Sequence, residues 1–262
     1  MQKLNRLAKL LFVLQATALF GTLGHAYIPP SAFIVKTWVG KHAHHKKLKL
    51  KTLVTTGDKR QGATVQFKEL FVLTEAGVAR SWAMNDSDQV LYYQERGLKQ
   101  LSLPSQLLFN SDSSDLMRHL IEKGIPILTD PQPEKVEQEY LKRMNDSVSW
   151  VISQKPLQKD GPQVWFEKDT FFPLRLVFST SESTRTYDLN YENFRRDYLI
   201  PRFLTLRGSS GEVVLTGQVQ DFGIQSDIPK PLRSSAPGWT PLGESASANL
   251  KTLIQTYYQS LR

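Results

Sequence analysis

Residues 163–178 read Gln163-Val164-Trp165-Phe166-Glu167-Lys168-Asp169-Thr170-Phe171-Phe172-Pro173-Leu174-Arg175-Leu176-Val177-Phe178. Val164 and Phe166 lie on one side of an alternating run, and Leu174, Leu176 and Phe178 resume the period of two after a break. Lys168-Asp169-Thr170 has the turn chemistry of a hairpin connection. Pro173 opens the return strand, where its missing N–H does least harm. The stretch predicts an antiparallel hairpin.

The same period recurs on both sides of it. Leu48 and Leu50 alternate with Lys47, Lys49 and Lys51. Val65 and Phe67 begin the next strand, after which the apolar phase moves to Leu70 and Val72. That one-residue slip predicts a bulge near Lys68-Glu69, a device of strongly curved sheets. Val78-Arg80-Trp82-Met84, Val90-Tyr92, Val148-Trp150-Ile152, Tyr187-Leu189-Tyr191 and Val213-Leu215-Val219 continue the series, with a further strand around Phe203 to Leu206. Glu75-Ala76-Gly77 and Gly208-Ser209-Ser210-Gly211 suit hairpin turns. So many short alternating segments argue for one large antiparallel sheet.

Three stretches break the rhythm. Pro29-Pro30 opens a predicted helix through Trp38, since proline is tolerated in a first helical turn. Residues 111–124 predict a second, capped by Ser113 or Ser114, with Leu116, Met117, Leu120 and Ile121 on one face and Gly124 at its end. Pro133 to Met144 predicts a third, with Val136 and Tyr140 one turn apart. The tail differs again. Residues 230–245 form a proline- and serine-bearing connector. Within residues 246–262, Leu250, Leu253, Ile254, Tyr257, Tyr258 and Leu261 fall at helical spacing and need an apolar partner. That partner is the chain's own domain, a cavity that the helix plugs or gates, or another protein.

The first 26 residues have the layout of a cleaved secretory signal. Lys3, Arg6 and Lys9 precede an apolar run from Leu10 to Phe20, and Gly24-His25-Ala26 places small residues at −3 and −1 before Tyr27. Eleven residues rise only about 16 Å as a helix, too short for an uncleaved anchor to span a bilayer. Removing residues 1–26 leaves 236 residues, enough for one sizeable core, and lowers the formal charge by three from +8 to +5. The basic residues are scattered, which suits a solvated surface. The modest excess also suits anionic head groups. No nucleic-acid motif is present. The chain has no cysteine, which excludes disulfides, thiolate metal sites, a cysteine nucleophile and a lipid-modified N-terminal cysteine. A soluble periplasmic protein is expected.

Residues 163–178 resemble a hairpin of the LolA/LolB-like superfamily of periplasmic lipoprotein carriers and related lipid-binding proteins. Ile200-Pro201-Arg202-Phe203, with Gly211 and the strand to Phe222, is similar to the family's next hairpin, and Ile224 to Pro229 to the segment that closes its sheet. Arg80-Ser81-Trp82 followed by Val90-Leu91-Tyr92-Tyr93 is similar to an upstream strand pair, and the 115–124 region falls where helices cover the family's sheet. The resemblance spans most of residues 31–229 in order. It implies an α+β fold: a strongly curved, unclosed antiparallel half-barrel over residues 27–229, covered by helices around an apolar cavity. It also implies a carrier or sensor that buries acyl chains of a lipid or lipoprotein without covalent chemistry, met by a membrane-bound donor or acceptor protein. One departure stands out. Glu75 and Ala76 occupy the places where lipoprotein-delivering carriers have an Arg-Pro pair, so that arginine's polar latch is not expected, and a lipid-binding relative fits better than the standard lipoprotein carrier.

On that fold the candidate cavity residues are Trp82, Tyr92, Trp150, Leu174, Leu176, Tyr187 and Leu189. The candidate gating helix carries Leu250, Leu253, Ile254 and Tyr257. An envelope interaction or sensor module with a filled core and no lipid cargo is the alternative. Catalytic, metal and cofactor sites are not expected; a periplasmic enzyme, such as a paired-carboxylate glycosidase, is the further alternative and would require a polar pocket holding several carboxylates or the histidine run. No Gly-x-Ser-x-Gly elbow occurs, and His119 is the one mature histidine outside the run Lys41-His42-Ala43-His44-His45-Lys46-Lys47. His42 and His44 would share a face of a strand, but the flanking lysines oppose a cation, and a solvated basic segment is the better account.

Overall fold

Alternation becomes pairing along most of the chain. The computed structural model describes residues 28–41, 47–57, 65–109, 138–144, 146–153, 163–179, 184–191, 200–224, 227–229, 232, 237–239 and 246–262. The expected signal segment, the histidine run and the helix over 111–124 lie outside the described residues.

Helix α1 (Ser31–Lys41) precedes the meander β1 (Leu48–Thr56), β2 (Gln66–Leu73), β3 (Val78–Met84) and β4 (Val90–Gly97). A 3-10 turn (Leu98–Gln100) leads to the short helix α2 (Leu103–Phe109). A second run follows: β5 (Gln138–Met144), β6 (Ser147–Ser153), β7 (Gln163–Glu167), β8 (Pro173–Ser179), β9 (Thr184–Asn190), β10 (Phe203–Arg207) and β11 (Val213–Gly223). The two-residue β12 (Gly238–Trp239) and helix α3 (Ala248–Leu261) complete the chain. The strands form one antiparallel sheet in the order β12-β4-β3-β2-β1-β11-β10-β9-β8-β7-β6-β5. The sheet is open, since β12 and β5 end it without pairing to each other. Two long-range pairings complete the order: β1 joins β11, with Leu50 opposite Phe222 and Val54 opposite Gly217, and β12 joins β4.

Period two sorts the side chains onto two faces. Leu48, Leu50 and Val54 of β1, Leu176 of β8, Tyr187 and Leu189 of β9 and Leu206 of β10 meet Ile34 and Trp38 of α1, Leu108 and Phe109 of α2, and Leu253 and Ile254 of α3 in one core. The face carrying these helices is the inner face. A smaller cluster, Leu70, Val72, Trp82 and Tyr93, occupies the outer face beneath Ile228 and Leu232.

Two expectations are corrected. No bulge interrupts Lys68-Glu69: β2 pairs without a shift to β1 and to β3. The apolar phase changes there because both faces are covered, with Phe67, Phe71 and Leu73 inward and Leu70 and Val72 outward, and Glu69 occupies an inward position. Register shifts fall instead at Lys51/Thr52, Ala83/Met84, Trp165/Phe166 and Leu206/Arg207. Residues 138–144 are a strand, not part of the helix expected over Pro133–Met144. Gln, Glu, Leu, Lys, Arg and Met favour helix locally, and pairing along β6 from Gln138 opposite Ser153 to Met144 opposite Ser147 overrides that preference. Charged residues suit this edge, where they discourage pairing with other chains. The connector also gains an element, since Gly238 and Trp239 pair with Tyr93 and Tyr92 of β4.

The inner core predicts a contrast in chemical denaturation. Leu176→Ala, at a fully buried site, should cost about 2–5 kcal/mol. Ile224→Ala, at a residue 57% exposed, should stay within about 0.5 kcal/mol of wild type.

Candidate functional site

Helix α3 fills the inner face opposite β2 and β3. Ser247 caps it by accepting a hydrogen bond from the Leu250 N–H at 3.3 Å. Leu253, Ile254, Tyr257, Tyr258 and Leu261 are buried, and Leu250 packs partly buried at the rim. Ala79, Ser81 and Ala83, the inner-face residues of β3, are small and buried and leave room for the helix. Tyr257 packs edge-on against Phe67, ring centroids 5.4 Å apart, and Tyr258 against Tyr92 at 4.8 Å.

The helix is pinned by charge. Glu69 has no exposed side-chain surface, and an unpaired carboxylate there would be costly. Arg262, directly after α3, reaches it with two hydrogen bonds, Nε to Oε1 at 2.8 Å and Nη2 to Oε2 at 2.7 Å. The Ser81 hydroxyl donates to Oε1 at 2.6 Å and the Tyr257 hydroxyl to Oε2 at 2.5 Å, so the carboxylate accepts four bonds. Arg262 Nη1 donates to the Ser105 hydroxyl of α2 at 3.0 Å, and the guanidinium lies 4.5 Å from the Phe71 ring centroid. Arg96 donates to the Arg262 carbonyl at 2.9 Å.

Among the described residues, a small cavity lies on the inner face beside α3. Bounded by Thr52, Gly217, Tyr257 and Arg262, it measures about 30 Å³, room for one water and not for an acyl chain. Two larger cavities involve the outer face. One of about 470 Å³ lies among Lys51, Lys68, Leu70, Met84, Pro229 and Leu232. The other, of about 750 Å³, lies at one end of β8–β11 and includes Arg175, Asp188, Thr205 and Arg207.

The sequence candidates divide between the faces. Trp150, Leu176, Tyr187 and Leu189 are buried in the inner core, and Tyr92 and Leu174 pack partly buried against it. Trp82 lies on the outer face, stacked on Tyr93 at 5.0 Å. Leu253, Ile254 and Tyr257 are brought against the sheet, joined through the Tyr187 hydroxyl, which donates to the Ser260 carbonyl at 3.3 Å. Sequence reasoning missed Glu69, Ser81, Ser105 and Arg262. The signal for Glu69 was present, as a charge in phase with Phe67, Phe71 and Leu73. Among the described residues no group of acidic or histidine side chains could hold a metal ion, and no helix is long and apolar enough to cross a membrane.

No family model and no curated protein matches the chain. Solved structures do. A LolA superfamily protein from Nitrosomonas europaea is 11% identical, with 79% of this chain and 99% of that one covered at a TM-score of 0.48. A putative outer membrane lipoprotein-sorting protein domain from Vibrio parahaemolyticus is 13% identical, with 76% and 94% covered at 0.42. MucB of Pseudomonas aeruginosa, solved in complex with MucA, is 11% identical, with 80% and 62% covered at 0.34. These neighbours include LolA-like proteins.

Two predictions follow from the buried contacts. Glu69→Leu or Arg262→Leu alone should each cost about 3–5 kcal/mol in urea unfolding, because each strands a buried charge. The double variant should recover most of that loss, and additive losses would contradict a direct pair. Burial raises the Tyr187 phenol and raises those of Tyr257 and Tyr258 well above the ordinary value. Their contribution is therefore complete below the unfolded value of about pH 10 and is lost as pH rises above it. Thermal melts between pH 8 and 11 should fall above pH 10, and replacing Tyr258 by Phe should lessen the fall.

Proposed function

We propose that this chain is a cell-envelope half-barrel protein that takes up acyl chains of a lipid or lipoprotein on its inner face, in exchange for helix α3. The observation that carries this reading is the present occupant of that face. An amphipathic helix of the chain itself lies there with Leu253, Ile254 and Tyr257 against the sheet. A surface able to bury that apolar side offers an acyl chain the same environment, at about 0.8 kcal/mol for each CH₂ kept from water. Leu250, Leu253 and Ile254 serve as the moving part of the gate with Tyr257 at its hinge, and Trp150, Leu174, Leu176, Tyr187 and Leu189 as the wall. The process is reversible burial without covalent chemistry. Export through residues 1–26, a periplasmic location and a membrane-bound donor or acceptor belong to the same proposal.

The small volume of the inner cavity between Thr52 and Arg262 favours a second reading, a protein-interaction or sensor module on the same fold without lipid cargo.

The test is native mass spectrometry and lipid extraction of gently purified protein, with uptake of a fluorescent palmitate analogue by wild type, Arg262→Leu and a chain lacking residues 246–262. Carriage predicts co-purified lipid, or at least ten-fold tighter uptake when the helix is loosened or removed and circular dichroism still shows the sheet. Bare protein and no uptake by any folded form would sink carriage in favour of the interaction module.

A further inference from the structure

The outer face bears a second site. Arg175, Asp188, Thr205 and Thr216 face one another in register across β8, β9, β10 and β11. The neighbouring row, Leu176, Tyr187, Leu206 and Leu215, belongs to the inner core, so the polar row lies on the opposite face. An outer antiparallel face is ordinarily only solvated. Here the row lines the cavity of about 750 Å³, together with Asn190, Phe203, residues of the β7–β8 turn and, at its margin, Leu174 and Leu189 of the inner side. That volume is within the roughly 300–1,000 Å³ of small-molecule sites.

The polar groups are already ordered. Asp188, its side chain 15% exposed, accepts from Arg175 Nε on one oxygen at 2.6 Å and from Arg207 Nε on the other at 2.8 Å. Arg175 also lies 5.3 Å from the Trp165 ring centroid, and Arg207 Nη1 donates to the Gly211 carbonyl at 3.2 Å. Both guanidinium groups are therefore held in place before any ligand arrives, which lowers the ordering cost of binding. Tyr191 is another lining residue. Its ring belongs to the inner core and packs against Phe172, centroids 4.8 Å apart, at the margin of the cavity.

The chemistry of the lining selects the ligand. An anion would meet Glu167, Asp169 and Asp188, three carboxylates against two arginines. A metal ion would have to displace arginine from both oxygens of Asp188. An acyl chain would desolvate these charges without pairing them. Hydroxyl groups both donate and accept, which matches carboxylate and amide acceptors beside guanidinium donors. Phe203 adds an apolar surface for the face of a sugar ring. We propose that this cavity binds an uncharged polyhydroxylated ligand, a short glycan segment.

The test uses chitotetraose and maltotetraose as probes in saturation-transfer NMR, with affinity read from chemical-shift titration of the labelled protein. At least one probe should bind, with shifts concentrated on the outer face of β8–β11. Asn190→Ala and Phe203→Ala, at exposed and half-buried positions, should each weaken it at least ten-fold with melting temperature unchanged. Should either variant melt lower, Thr205→Leu supplies the same comparison. Binding of neither probe, equal affinity in folded variants, or displacement of the glycan by inorganic phosphate at millimolar concentration would overturn the assignment.

Discussion

A carboxylate on the inner face of a sheet is tolerable only if something answers its charge, and in this fold the answer comes from the far end of the chain. Glu69 and Arg262 meet by two short hydrogen bonds, and the remaining carboxylate capacity is taken by Ser81 and Tyr257. Removing two charges from water costs several kcal/mol per ion, and their attraction repays that only with such complete pairing. The pair is thus poor evidence for added stability. Its consequence is register. An apolar helix on an apolar sheet has many nearly equal positions, whereas a slip of one turn along α3 would carry Arg262 about 5 Å from its partner.

The other end of that constraint is the join between β1 and β11. Local hairpins build β1–β4 and β5–β11 as two meanders, and the β1–β11 ladder makes them one sheet. Only then do Glu69 on β2 and Tyr187 on β9 share the face on which α3 sits, with Tyr257 and Arg262 at one and Ser260 at the other. Four register shifts, not one, interrupt the sheet's ladders, and such irregularities locally increase twist.

The strands were legible because period two is a property of neighbouring residues, and the 163–178 hairpin lies where its own alternation and turn place it. The apolar stripe of α3 was legible for the same reason. Three features were not. The slip at Lys68-Glu69 has two explanations in sequence, an inserted residue or a buried charge, and only the unbroken pairing of β2 with β1 and β3 distinguishes them. Residues 138–144 carry helix-favouring side chains, and the preference of an edge strand is set by β6 alone. The faces of Trp82 and Trp150 look equivalent in sequence, yet Trp82 stacks outward on Tyr93 and Trp150 enters the inner core. A face assignment depends on register across strands, which no single segment contains.

The same pair constrains how the inner face could open under the proposed exchange. Five buried side chains of α3 contribute roughly 1.5–3 kcal/mol each, and an acyl chain of about sixteen carbons contributes roughly 12 kcal/mol, so the apolar terms nearly cancel. The polar terms do not. An acyl chain cannot answer Glu69, and complete departure of α3 would leave that carboxylate buried among apolar groups at a cost of about 3–5 kcal/mol. Retreat of the amino-terminal half alone avoids the penalty. Leu250, Leu253 and Ile254 precede the pinned turn, and Tyr257, Leu261 and Arg262 hold the contacts to Glu69 and Ser105. The least costly opening is therefore a hinge near Tyr257 with the ion pair intact, which exposes inner surface at the start of α3 and keeps its end in place.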